Sequence, residues 1–333
     1  MTRARNQIIS TADTPYYHCI ARCVRQAFLC GEDPLTQRSY EHRRQWVVER
    51  LVKLEQVFCI DLCAYAVMSN HYHLVLGIDE DHAAELTIDE VINRWCQLYK
   101  GPLLVQRYLQ GEVLDKAEYM AVTEIAEQWR SRLADISWFM RSLNEHIARQ
   151  ANREDSCTGH FWESRFKSQA LLDEKALLTC MAYVDLNPIR AEIAETPETS
   201  DYTSVQSRIA QKTVKIDTAA ASLPDTPTQP ILKPFDPTTQ TLASIGYDLH
   251  DYLELVDDIG RAIRDDKRGF IVQSTPLILK RLGINPDAWL EAMGPKGIHM
   301  ATVLGDTACI EDYTKAHHLR FIAGASRLKS LLQ

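Results

Sequence analysis

The chain has 333 residues, 45% of them hydrophobic and 25% charged, with a formal net charge of −8. Those proportions belong to an ordinary globular protein, and the length allows a sizeable core and two domains. No run of about 18 uncharged apolar residues occurs and the start, MTRARNQIIS, lacks a signal peptide's apolar segment, so a cytoplasmic protein without a membrane partner is expected.

In chain order, YYHCIARCV (16–24) reads as a strand and 36–57 as a helix, with Trp46, Val47, Leu51 and Leu54 at helical spacing. CIDLCAYAVM (59–68) and HYHLVLGI (71–78) read as two strands joined by Ser69-Asn70 in a hairpin. Residues 85–133 are helical, acidic and rich in Leu and Trp, an insertion beside the sheet. The amphipathic stretch 135–151 carries an N-cap at Asp135, GHFWESRFKSQAL (159–171) holds a further strand, and a helix begins at Asp173. This order predicts an α+β domain over residues 1–210, an antiparallel sheet backed by helices. The Pro- and Thr-rich stretch within 211–241 reads as a linker or arm, and 242–333 as a mostly helical accessory region.

Cysteine usage gives no framework. The nine cysteines are scattered, and the tightest pairs, Cys19/Cys23 and Cys59/Cys63, have three intervening residues, so reduced core cysteines are expected. The negative total charge opposes nucleic-acid binding on average, yet arginines gather before residue 45 while acids concentrate between Asp79 and Asp135. A basic face on an acidic chain and a set of solvated surface arginines both fit that distribution.

Chemistry concentrates at two places. In a strand, alternate side chains share a face, so His71 and His73 project together, with Tyr72 opposite. Such a pair can share a metal ion; it also fits half-buried histidines satisfied by hydrogen bonds. In LLTCMAYVDLNPIRAEI (177–193), Leu177, Met181 and Val184 recur at helical spacing, placing Tyr183 on the flank of the apolar face and Asn187 one turn beyond. Alone, that stretch fits capped helices, with Asn187 as an N-cap before Pro188.

Together, MSNHYH, GHFWESRF and AYVDLNPIRA resemble the HUH single-tyrosine transposases of the insertion-sequence type, and most of all their relatives associated with repetitive extragenic palindromes (REP). The resemblance covers about residues 14–206 apart from the insertion. It implies the ferredoxin-like HUH fold and a DNA nicking and joining enzyme. His71 and His73 would hold magnesium or manganese, Asn187 would supply an oxygen ligand, and Tyr183 would attack a DNA phosphodiester to give a 5′-phosphotyrosine. It further implies a single-stranded or hairpin DNA partner with REP-like palindromes, and favours a monomer over a dimer. Ser69 stands where such proteins usually carry proline, and the insertion is larger than theirs. Candidate DNA contacts are Arg22, Arg25, His160, Trp162, Arg165, Lys167 and Arg190, a mixture of cations and stacking rings, although Trp162 fits the sheet core equally well. A non-catalytic palindrome-binding regulator on the same scaffold is the alternative.

Overall fold

The computed structural model describes residues 9–24, 29–33, 37–217, 229–238, 242–262 and 303–319. Five strands form one sheet: β1 (Tyr16–Arg22), β2 (Ile60–Val67), β3 (His71–Ile78), β4 (Lys167–Leu171) and β5 (Val303–Leu304). Their order is β2-β3-β1-β4-β5; the first three pairings are antiparallel, and β4/β5 is parallel. The architecture is α+β, one mixed sheet covered by helices on both faces. Among the described residues, no helix is long and apolar enough to cross a membrane.

The period of two divides each strand between two cores. Tyr17, Cys19, Tyr72, Leu74 and Leu76 point to one, under α1 (His42–Val57) and α6 (Ile136–Glu154). Cys63, Ala64, Ala66, Val75 and Leu171 point to the other, under α7 (Glu174–Asp185) and α10 (Leu249–Ala262). With both faces covered, β2 and β3 are buried almost throughout, which is why their sequences run nearly continuously apolar.

Several boundaries follow from local chemistry. The side chain of Asp135 accepts from Ser137 N at 2.5 Å and that of Asp173 from Ala176 N at 2.7 Å, fixing the starts of α6 and α7. The hairpin turn spans Met68, Ser69 and Asn70, closed by Met68 N donating to His71 O at 2.8 Å, one residue longer than expected. The strand expected over 159–171 forms only from Lys167. Upstream, Trp162 bridges to Cys23 and Glu163 N donates to Arg22 O at 2.8 Å, but the polar run Glu163–Arg165 is exposed and forms no strand.

The insertion comprises α2 (Glu80–Glu85), α3 (Ile88–Cys96), α4 (Leu103–Leu109) and α5 (Lys116–Leu133). It packs through α3 and α5 onto α1 and α6, so it lies on the Tyr72 side of the sheet. Its core is aromatic: the Trp95 ring lies 5.6 Å from that of Trp129 and 5.3 Å from that of Trp138.

Further expectations change. α7 is not amphipathic in place, since residues 176–185 are all buried. The reason is that α10 and the first turn of α9 (Ser204–Asp217) pack against α7 in addition to the sheet, and a helix apolar nearly all round requires such cover. Asn187 is not an N-cap. Leu186 holds that position, with helical backbone, and α8 (Asn187–Arg190) follows α7 almost without a break. The C-terminal region expected to be helical carries α10 and α11 (Thr307–Ala316), and also β5, which extends the same sheet. Of the stretch expected as a linker, 211–217 is the end of helix α9, while 218–228 and 239–241 lie outside the described residues.

Candidate active site

The histidine-bearing face of the sheet can be followed from one end to the other. On β3 it shows His71, His73 and Val75; on β1, read through the antiparallel register, Arg22 stands opposite His71, Ile20 opposite His73, and His18 opposite Val75. On β4, Lys167 stands opposite Ile20 and Gln169 opposite His18. At the His71 end the face opens into a cleft of about 420 Å³, lined by Ile20, Arg22, His71, Arg165, Lys167 and the Glu163–Ser164 rim. The cations Arg22, Arg165 and Lys167 face the single carboxylate of Glu163 there, a local excess of positive charge on an acidic chain.

Inward from the cleft the rings make a continuous path. The His71 and His73 centroids are 4.8 Å apart; His73 lies 5.7 Å from the Tyr183 ring and His18 6.0 Å from it, both edge to face. His73 is fully buried, and Tyr183 is 1% exposed. Three segments far apart in sequence thus meet at one point. His18 is a site residue that the sequence motifs do not single out, although the alternation Tyr16, His18, Ile20, Arg22 already places it on the same face as Arg22.

Burial pushes the Tyr183 phenol well above its ordinary range; Arg190 and the Asn187 amide pull it down, and Cys180 pushes it further up. The Arg190 guanidinium carbon sits 4.7 Å above the Tyr183 ring, and its own pKa is pulled down to about 10 by burial, against the partly opposing effect of Tyr183. One terminal nitrogen of Arg190 is buried without a hydrogen-bond partner among the described residues. Asn187, 8% exposed, donates from Nδ2 to Tyr183 O at 3.0 Å, capping the last turn of α7.

Of the other expected contacts, Arg22, Arg165 and Lys167 line the cleft. His160 is exposed and outside its lining. Trp162 lies on the opposite side of the sheet: its ring meets Tyr72 at 5.6 Å and its Nε1 donates to Asn144 O on α6 at 2.8 Å, so it packs as core. Arg25 lies outside the described residues.

The donor set fits a divalent ion in part. Nδ1 of His71 is bonded to Asn70 Oδ1 at 2.6 Å and Nδ1 of His73 to His18 Nε2 at 2.9 Å, so Nε2 is the remaining ring nitrogen of each, and that of His73 is buried. Hard ions such as magnesium or manganese also need oxygen ligands, which two imidazoles do not supply. Among the described residues, Asp173, Asp306 and Cys309 form the one close grouping of three metal-type side chains, and it is structural. Asp173 caps α7, and Asp306 caps α11 by accepting from Cys309 N at 2.8 Å.

No family model matches the chain, and no curated protein matches it. Among solved structures, the chain is similar to a REP-associated tyrosine transposase bound to a REP hairpin. The two are 12% identical with a TM-score of 0.37, over 70% of this chain and 99% of that one.

Proposed function

We propose that this chain is a metal-dependent single-stranded DNA endonuclease and strand transferase for hairpin DNA, acting through a covalent 5′-phosphotyrosine at Tyr183. The observation that carries the reading is the ring-to-ring meeting of His73 and Tyr183 at 5.7 Å, with His71 linking them to a cationic cleft. The sequence resemblance supplies the substrate class.

In this reading the DNA strand lies in the cleft, its phosphates against Arg22, Arg165 and Lys167. Tyr183 Oη attacks phosphorus as the bond from phosphorus to the 3′ oxygen breaks; the phenol loses its proton and the departing 3′ oxygen gains one. His71 and His73 through Nε2, with Asn187 Oδ1 as an oxygen donor, would hold magnesium or manganese, which would supply polarisation of the non-bridging phosphate oxygens. A phosphate reaching Tyr183 also offers acceptors to the buried Arg190 nitrogen. The tyrosyl ester keeps the phosphodiester's energy, so a second 3′-hydroxyl reverses the step without ATP.

Tyr183 is 1% exposed, so uncovering must precede attack. That burial is also the observation favouring the second reading, a palindrome-binding regulator that does not cut. A hairpin oligonucleotide labelled at its 3′ end, incubated with the protein and Mn²⁺, separates the two. The nicking enzyme leaves the label on protein after denaturation; Tyr183→Phe removes that adduct while DNA binding persists. A wild type that binds DNA yet never forms the adduct with any divalent ion supports the regulator.

A further inference from the structure

Resting on the reading of His71 and His73 as ion ligands, we propose that His18, backed by Gln169, is a positioning residue that holds His73 with its proton on Nδ1 and its lone pair on Nε2. Asn70 does the same for His71.

The assignment follows from which atoms can donate. Gln169 Oε1 is a carbonyl oxygen and only accepts, so His18 Nδ1, 3.3 Å away, is the donor. With a neutral ring, His18 Nε2 then carries the lone pair and accepts. Its partner at 2.9 Å, His73 Nδ1, must donate, and the neutral His73 ring carries its own lone pair on Nε2. The ring planes are 15° apart with centroids separated by 5.1 Å, so an in-plane N–H points at an in-plane lone pair. The opposite tautomer of His73 would set two lone pairs against each other.

All three side chains are at most 4% exposed, which keeps water from standing in for a missing partner. The register explains why the relay forms: β1 lies between β3 and β4, with Gln169 directly opposite His18 and His73 one diagonal step away on the other neighbour. At His71, Asn70 Oδ1 accepts from Nδ1 at 2.6 Å, which leaves the lone pair of that ring on Nε2 as well. Histidines that bind metal commonly have their second nitrogen held in this way, which fixes both tautomer and ring orientation.

The test reads tautomers directly. Full-length, metal-free protein carrying ¹⁵N-labelled histidine gives long-range ¹H–¹⁵N correlations for each ring, with His73 assigned by its loss in His73→Ala. Wild type should show His73 protonated at Nδ1. His18→Phe should release His73 into a mixture of tautomers and weaken binding of Mn²⁺ alone, measured by calorimetry, by about 10- to 100-fold. His18→Gln, whose carbonyl oxygen can accept from His73 Nδ1, should restore both readouts, a rescue that a merely space-filling role would not give. A folded His18→Phe with unchanged His73 tautomer and unchanged Mn²⁺ affinity overturns the proposal, as does a wild type that binds no Mn²⁺. If His18→Phe fails to fold, Gln169→Leu takes its place: a shifted tautomer supports the relay, and an unchanged one overturns it. His18-dependent Mn²⁺ binding in a protein that forms no DNA adduct sinks the nicking function while leaving this inference standing. Adduct formation with a His18→Phe protein that behaves like wild type does the reverse.

Discussion

A phenol shut away from water resists ionisation, and at Tyr183 the opposing forces can be named. Burial is the largest and raises its pKa; the Arg190 cation, stacked on the ring, is the largest force lowering it. Replacing Arg190 by Gln removes stabilisation of the phenolate, so the Tyr183 pKa rises further. Adduct formation at neutral pH should slow about tenfold for each pKa unit gained, with the pH-rate profile displaced to the alkaline side. Single-turnover kinetics across pH would show it, and an unshifted profile would mean that Arg190 acts only on phosphate. His71→Ala should abolish adduct formation at limiting Mn²⁺ and regain part of it at high Mn²⁺, since weaker ion binding is the expected defect.

At the scale of elements, α7 is held by a buried carboxylate. Asp185 accepts from the Ser204 hydroxyl, from Val205 N at 2.9 Å and from the Tyr252 hydroxyl at 2.7 Å, tying the tyrosine helix to the start of α9 and to α10. Asp185→Ala leaves these donors unsatisfied and should cost about 3 kcal/mol or more, measurable by denaturant unfolding. Burial, outweighing those bonds and nearby Arg208, raises the Asp185 pKa from 3.8 to about 6. The folded state therefore binds this proton more tightly than the unfolded chain. The resulting stability is complete below about pH 4 and is lost as pH rises through about 6, a contribution on the order of 3 kcal/mol. The melting-temperature advantage of wild type over Asp185→Asn should accordingly be larger at pH 4 than at pH 7. A constant difference would contradict the assignment.

What the sequence discloses divides along the same line. The shared face of His71 and His73, the caps at Asp135 and Asp173 and the β2–β3 hairpin depend on neighbours a few residues away, and local patterns carry them. His18 and Gln169 depend on which strands lie side by side, which YYHCIARCV does not encode by itself. The cover over α7 comes from residues after 200, so the local pattern around Tyr183 is that of a half-exposed helix. Trp162 is ambiguous in sequence for the same reason: only its bridge to Cys23 and its contact with Tyr72 decide which side it takes.

On the scale of the whole molecule, charge and chemistry are segregated. The acidic insertion packs on the Tyr72 side of the sheet, while the cationic cleft opens on the histidine side, so the net charge of −8 does not describe what a DNA strand meets there. Single-stranded DNA affinity should fall with salt, and the double variant Arg165→Ala, Lys167→Ala should reduce the log–log slope by about 0.7 for each phosphate no longer neutralised. An unchanged slope would place the DNA elsewhere.

The central claim is that Tyr183 becomes covalently joined to DNA. After reaction with hairpin DNA and Mn²⁺ and digestion of the bound strand, tandem mass spectrometry of the Tyr183 peptide should find a nucleotide 5′-phosphate on the phenolic oxygen. A DNA adduct on any other residue, or none with any divalent ion, would contradict the account.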